Sequence, residues 1–265
     1  GPGTKNETEL WNGTNWTEQN NLNTGRKYLG GAGTSTAGLA SGGDTGSASA
    51  VTEVWTGAGA NIGAWATGGN LNTARMAMGG AGIQTAALVF GGGLPSPFKN
   101  ETESYNGSSW TEVNNLNTTR TTLEGAGTYT AAIGFGGYDT PFTGKTESWN
   151  GTNWTEVNDM ATVRGSMGGG GTQTSAIGFG GLAPPPSSYT TKADTELWNG
   201  TNWTEVNNLN TARYYIASST QGAASTSALG YGGSNPSPKA AVTELWNGTN
   251  WTEVGDLNTA RDNAG

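Results

Sequence analysis

The sequence contains neither cysteine nor histidine among its 265 residues. Disulfide bonds, thiolate or imidazole metal ligands, and Cys–His or Ser–His catalytic machinery are therefore excluded. No apolar run approaches the ~18 residues of a membrane-spanning helix, so we expect no membrane insertion. We accordingly expect no metal, no cofactor and no catalytic residue.

Hydrophobic residues are also scarce, at 33%, while glycine occurs 46 times. Such a composition is often typical of disordered chains. Eleven tryptophans argue against disorder here, because disordered chains are poor in aromatic residues. The formal net charge of −8 argues against a nucleic-acid partner, since binding to phosphates needs clustered positive charge.

One repeated phrase organises the chain. TELWNGTNWTE begins at Thr8 and returns with small changes at Thr52, Thr102, Thr146, Thr195 and Thr243, so the copies lie 44–50 residues apart. Each copy is followed by Thr-x-Arg, and five glycine-rich stretches then end in a Gly-Gly pair. A repeat of this length is the signature of a solenoid or a propeller.

Each unit is predicted to form four short strands. The runs are short, rich in Thr, Tyr, Trp and Val, and separated by Gly, Asn and Pro, which leaves no room for helices of normal length. Asn-Gly pairs such as Asn247-Gly248 predict a type I′ hairpin between the third and fourth strands. Four strands in a unit of about 47 residues predict an all-β fold, a β-propeller blade repeated around an axis.

The predicted domain covers 4–265 and follows 1–3, which we interpret as the remnant of a cleaved tag. Its third and fourth strands are expected near 8–18, 52–66, 102–113, 146–157, 195–206 and 243–254.

The repeat resembles the Kelch family of β-propellers. The matching features are Gly-Gly after the second strand, an aromatic residue on the third, a Trp opening the fourth and a following Arg. The near-identity of the units is also similar to Kelch-like arrays of phage and other microbial virus proteins. The resemblance implies a propeller, but the copper oxidase chemistry found in that family needs His and a Tyr–Cys crosslink, which this sequence cannot supply.

The repeated aromatic positions are predicted to be structural, packed between blades where large flat side chains replace the missing Leu, Ile and Phe. The residues assigned this role are Trp11, Trp16, Trp149, Trp154, Trp198, Trp203, Trp246 and Trp251.

The repeated arginines have two interpretations. They could cluster around the axis to bind a carboxylate, as in sialidase propellers, or each could bind a Glu or backbone carbonyls between blades. Recurrence once per unit, with no unit singled out, favours the structural role. The arginines assigned to it are Arg75, Arg120, Arg164 and Arg213.

The variable connections between second and third strands are the candidate binding region, because variable loops on a rigid scaffold usually carry recognition. These connections are expected at 44–51, 93–100, 138–145, 182–194 and 234–242. Their candidate ligand-binding residues are Phe98, Lys99, Tyr138, Phe142, Lys145, Tyr189, Lys192 and Lys239. The alternative is that these loops are solvent-exposed and vary in sequence because no function constrains them.

The repeat count leaves one strand pair over, since there are six outer halves and five inner halves. We predict five complete blades plus an extra half-blade, in a five-bladed ring, with an irregular six-bladed ring as the alternative. Either terminal pair could be the surplus one. The unpaired edges of a surplus hairpin can pair with a strand of another chain. We therefore expect self-association through this hairpin, most simply in a two-fold dimer.

The function expected from these features is a non-enzymatic, rigid binding or display scaffold. Its loops would recognise a surface glycan or protein, in an extracellular setting or on a virus particle. A second interpretation is an isolated or designed propeller fragment without a ligand. A third is a glycan-cleaving enzyme using paired carboxylates, although the repeated Glu residues are more simply read as cross-strand partners.

Overall fold

The computed structural model describes residues 4–57, 63–93, 96–184, 189–220, 226–235 and 239–262. The interpreted tag remnant, 1–3, lies outside these residues, as do parts of the loops at 93–100, 182–194 and 234–242.

The described residues form an N-terminal hairpin and five four-stranded antiparallel blades. The hairpin comprises β1 (Thr8–Trp11) and β2 (Trp16–Gln19). Blade 1 comprises β3 (Gly30–Thr34), β4 (Ala37–Ser41), β5 (Thr52–Thr56) and β6 (Ala64–Thr67). Blade 2 comprises β7 (Gly79–Ile83), β8 (Ala86–Phe90), β9 (Thr102–Tyr105) and β10 (Trp110–Val113).

The remaining blades repeat this order. Blade 3 comprises β11 (Glu124–Thr128), β12 (Ala131–Phe135), β13 (Thr146–Trp149) and β14 (Trp154–Val157). A short ribbon, β17 (Leu182–Ala183) with β18 (Thr190–Thr191), interrupts blade 4, whose strands are β15 (Gly168–Thr172), β16 (Ser175–Phe179), β19 (Thr195–Trp198) and β20 (Trp203–Val206). Blade 5 comprises β21 (Ala217–Thr220), β22 (Ala228–Tyr231), β23 (Thr243–Trp246) and β24 (Trp251–Val254).

The five blades form a five-bladed β-propeller, which confirms the predicted fold class. First strands of successive blades contact one another, so they line the axis and the fourth strands lie outermost. Small residues permit this approach: a Cβ added at Gly125 of β11 would lie 2.3 Å from the Gly80 carbonyl oxygen of blade 2.

The predicted type I′ turns are wrong. Trp149 pairs with Trp154, so the connection has four residues, and of these Gly151 alone has a positive φ, of 92°. The Asn150 carboxamide oxygen accepts hydrogen bonds from the backbone N–H groups of Thr152 and Asn153, at 2.9 and 2.8 Å. This side-chain cap makes the turn in place of a second left-handed residue.

The N-terminal hairpin, β1–β2, is the surplus strand pair, since the C-terminal pair stays in blade 5. The Trp16 indole donates to Thr243 Oγ1 of blade 5 at 3.1 Å, and the Trp65 indole of blade 1 donates to Thr8 Oγ1 at 2.9 Å. The same bond joins consecutive blades, as from Trp110 to Thr52. The hairpin therefore sits between blade 5 and blade 1 of its own chain, whereas association with a second copy stays a prediction.

The tryptophans assigned a structural role pack between blades. Trp149, Trp198 and Trp246 are 1%, 3% and 1% exposed. One apolar cluster joins Trp198 and Trp203 of blade 4 to Phe135 of blade 3. In the hairpin, Trp11 and Trp16 are half-buried instead, because among the described residues β1 pairs with β2 alone.

Each repeated arginine reaches the carboxylate of the next unit, a contact we call the Arg–Glu clasp. Arg120 Nη2 lies 3.0 Å from Glu147 Oε1, and both side chains are fully buried. Arg120 Nη1 also donates to the Gly136 and Lys145 carbonyls. The other clasps join Arg26 to Glu53, Arg75 to Glu103, Arg164 to Glu196, Arg213 to Glu244 and Arg261 to Glu9. Each of these arginines therefore pairs with a glutamate of the next unit.

We predict that Trp198→Ala lowers the free energy of unfolding by about 3–5 kcal/mol, because it leaves a cavity between two blades. Trp11→Ala, at the equivalent but half-buried position of the hairpin, should cost clearly less. Urea unfolding followed by circular dichroism measures both. Equal losses, or a loss below about 1 kcal/mol for Trp198→Ala, would contradict the packing argument.

Candidate functional site

One end of the propeller carries both the variable loops and the entrance to the axis. Residues before a first strand bridge to residues after a second strand, as in Thr121 with Tyr138 and Gly165 with Leu182. The second-to-third-strand loops therefore surround the axial entrance. We call this end the loop face.

Four backbone hydrogen bonds link five residues around the axis at the loop face. Each blade contributes one non-glycine residue with φ of 53–56°, namely Tyr28, Ala77, Thr122, Ser166 and Tyr215. From Ala77 onward, the N–H of each residue donates to the carbonyl of the one before it, at 2.7–2.9 Å. These bonds offset the cost of left-handed backbone in residues with side chains.

Two tyrosines that precede the first strands of blades 1 and 5 face each other. The rings of Tyr28 and Tyr215 make an edge-to-face contact with centroids 5.4 Å apart. Burial and the interaction with Tyr215 raise the pKa of the Tyr28 phenol above its ordinary value. Both residues line the axial cavity.

A single carboxylate, Glu124, also lines this cavity. The residue is half-buried, and desolvation of its carboxylate raises its pKa to about 8. Sequence reasoning missed Glu124. The signal was present, because the equivalent positions of the other units carry Gly30, Gly79, Gly168 and Ala217.

The structure brings the four predicted loop aromatics into one row. Phe98 contacts Tyr138 at 5.5 Å between ring centroids, Tyr138 contacts Phe142 at 5.1 Å, and Phe142 contacts Tyr189 at 5.5 Å. All three contacts are edge-to-face. The row joins the loops of blades 2, 3 and 4, and Tyr189, 59% exposed, ends it at the surface.

The four predicted loop lysines do not converge on a site. Lys99 pairs with Glu101 at 3.3 Å, Lys192 with Asp194 at 3.5 Å, and Lys239 with Asp262 at 2.6 Å. Lys145 donates to Thr118 Oγ1 at 3.2 Å. Three of the four charges are therefore matched by a carboxylate nearby.

Within the described ranges, no group of three acidic side chains comes together in a way that could hold a metal ion. The same residues include no helix with the length and apolar character needed to cross a membrane.

Comparison with known proteins supports the fold. No family model and no curated protein matches the sequence. Among solved structures, the chain is similar to that of YjhT, with a TM-score of 0.73 and 13% sequence identity over 95% of this chain and 97% of that one. At this identity the similarity shows a β-propeller fold and nothing finer.

We predict that ionisation of Glu124 destabilises the protein as the pH rises. Its pKa is about 8 in the folded state, against an ordinary value of 4.5, so the folded state holds the proton more tightly over that window. Stability should fall between these pH values by up to about 1.4 kcal/mol per pH unit relative to Glu124→Gln. Urea unfolding of both proteins from pH 4.5 to 8 measures the difference. Glu112→Gln, at an exposed position of the neighbouring blade 2, is the control; parallel profiles for wild type and Glu124→Gln would refute the assignment.

Proposed function

We propose that the protein is a non-enzymatic, rigid binding scaffold whose loop face recognises a surface partner, a glycan or a protein. The observation that carries the proposal is the aromatic row from Phe98 to Tyr189, which ends in an exposed ring. Tyrosine suits recognition because it presents a large contact area at low entropic cost together with one polar group.

The row is suited to binding because it is held in place before a partner arrives. Its edge-to-face contacts connect three loops, and Phe142 at its centre is 9% exposed. Ordering these loops therefore adds little cost to binding, which is the advantage of a preorganised surface.

The charge of the loop face favours a neutral partner. Three loop lysines are paired with carboxylates, and the chain carries a net charge of −8. An anionic ligand would have to compete with those carboxylates for the lysines. A neutral glycan or an uncharged protein surface that stacks on Tyr189 would not have to compete with those carboxylates.

Membership of the Kelch family and a place on a virus particle or another extracellular surface are parts of the same proposal. They are supported by the Gly-Gly pairs, the two aromatic positions and the following Arg in each unit, and by the resemblance of the array to phage repeats.

An array of neutral glycans tests the proposal, and we expect binding without hydrolysis. Tyr189→Ala should weaken binding of the best glycan by about tenfold or more, because exposed aromatic anchors carry much of such binding energy. Tyr129→Ala removes a ring that is 45% exposed at the β11–β12 turn, on the opposite face, and should leave affinity unchanged. Cleavage of the bound glycan, or equal effects of both substitutions, would contradict the proposal.

A further inference from the structure

The hairpin strand β1 has one free edge. In each blade the third strand is paired on both sides, as β9 is between β8 and β10. Among the described residues, β1 pairs with β2 alone. Thr102 and Tyr105 of β9 are buried, whereas the equivalent Thr8 and Trp11 of β1 are half-buried.

The clasp at this position is incomplete. In blade 3, Arg120 donates to the Gly136 carbonyl after the second strand, to the Lys145 carbonyl before the third, and to Glu147. Arg261 donates to the Glu7 carbonyl and to Glu9, which are the equivalents of the last two acceptors. Among the residues that the structure describes, the first acceptor has no counterpart, and the Arg261 side chain is 10% exposed where that of Arg120 is 0%.

Among the described residues, Trp65 beside this position contacts no ring from a second strand, whereas four of its equivalents do. Trp110 also lacks such a ring, because the second strand of blade 1 ends in Ser41. An aromatic residue ending a second strand packs on the fourth-strand Trp of the following unit, as Phe90 does on Trp154 at 4.7 Å and Tyr231 on Trp16 at 4.7 Å. Trp65 would receive such a ring from a second strand beside β1. It is half-buried and lines a cleft that also reaches Glu9, Tyr231 and Arg261.

We propose that this cleft binds a two-stranded β-hairpin with the sequence pattern of the chain's own inner strand pairs. The hairpin's second strand pairs antiparallel with β1, as β8 pairs with β9. The carbonyl after that strand accepts from Arg261, and its last aromatic side chain packs on Trp65. The third strand of each of the five blades is paired with a second strand in this way.

The bound hairpin must be rich in glycine as well as in residues that favour β-strands. The first strand of an inner pair passes close to its neighbours, where a Cβ at Gly125 would lie 2.3 Å from a carbonyl oxygen. Gly31 of blade 1 lines the cleft. A general strand with bulky side chains on both faces would not fit, so the cleft selects the repeat's own inner sequence.

A synthetic peptide with the sequence of 77–92 tests the proposal on the intact protein. Saturating peptide should slow hydrogen exchange of the β1 amides by about tenfold or more, while β9, already paired on both sides, serves as the internal reference. A Phe90→Ala version of the peptide should bind more weakly, because it lacks the ring for Trp65.

A covalent version guards against a peptide that does not fold in solution. In this variant the sequence of 80–92 is fused to the C-terminus after Gly265. The covalent link raises the effective concentration of the added segment near β1, and a Gly-Ser extension of equal length is the control. We expect protection of β1 and a Tm higher by about 5 °C than the control.

Protection of β1 in either experiment supports the proposal, and its absence from both overturns it. A dimer seen by light scattering whose β1 amides are protected without peptide, and which the peptide does not dissociate, also overturns it. That result would assign the cleft to a second copy of the chain.

Discussion

The buried Arg–Glu clasp is the contact on which the ring depends. Glu147 accepts from Arg120 at 3.0 Å and from the backbone N–H and side-chain amide of Asn117, at 2.7 and 2.8 Å. These donors belong to the link that leaves one blade, whereas Glu147 belongs to the next. Each clasp therefore fixes the distance and angle between two units. A propeller without a large aliphatic core needs such a fixed joint, because face-to-face packing alone permits sliding.

Burial makes the clasp costly to break. Desolvation lowers the pKa of Arg120 from its ordinary value, and the charge of Glu147 opposes that effect. Removing one partner leaves the other charge buried without compensation, which costs about 3–5 kcal/mol in comparable pairs. The same joint runs from Arg26 to Glu53 and from Arg261 to Glu9, so it also holds the N-terminal hairpin in the ring. The hairpin is thereby joined to both neighbouring blades, while among the described residues β1 keeps one unpaired edge.

The repeated residues made the fold predictable from the sequence. The candidate site depends on residues that do not repeat, and these were harder to predict. Spacing of Trp, Arg and Gly-Gly predicted five blades, because each residue makes the same contact in every unit. The position of the hairpin depends on contacts such as that of Trp16 with Thr243, between residues near opposite ends of the chain. Local sequence patterns do not predict such contacts. The loop aromatics were identified, but the pairing of Lys192 with Asp194 depends on loop conformation. Glu124 was missed because it occurs in one unit only, at a position where the other units carry glycine or alanine.

A double-mutant cycle on Arg120 and Glu147 measures whether the clasp joins the blades. We expect Arg120→Met and Glu147→Met each to lower the free energy of unfolding by about 3–5 kcal/mol. The double variant should lose little more than either single one, since it leaves no unpaired charge, which gives a coupling energy of several kcal/mol between the two side chains. Strictly additive losses would contradict the claim, because they would show that the two residues act independently and that the clasp does not join the blades.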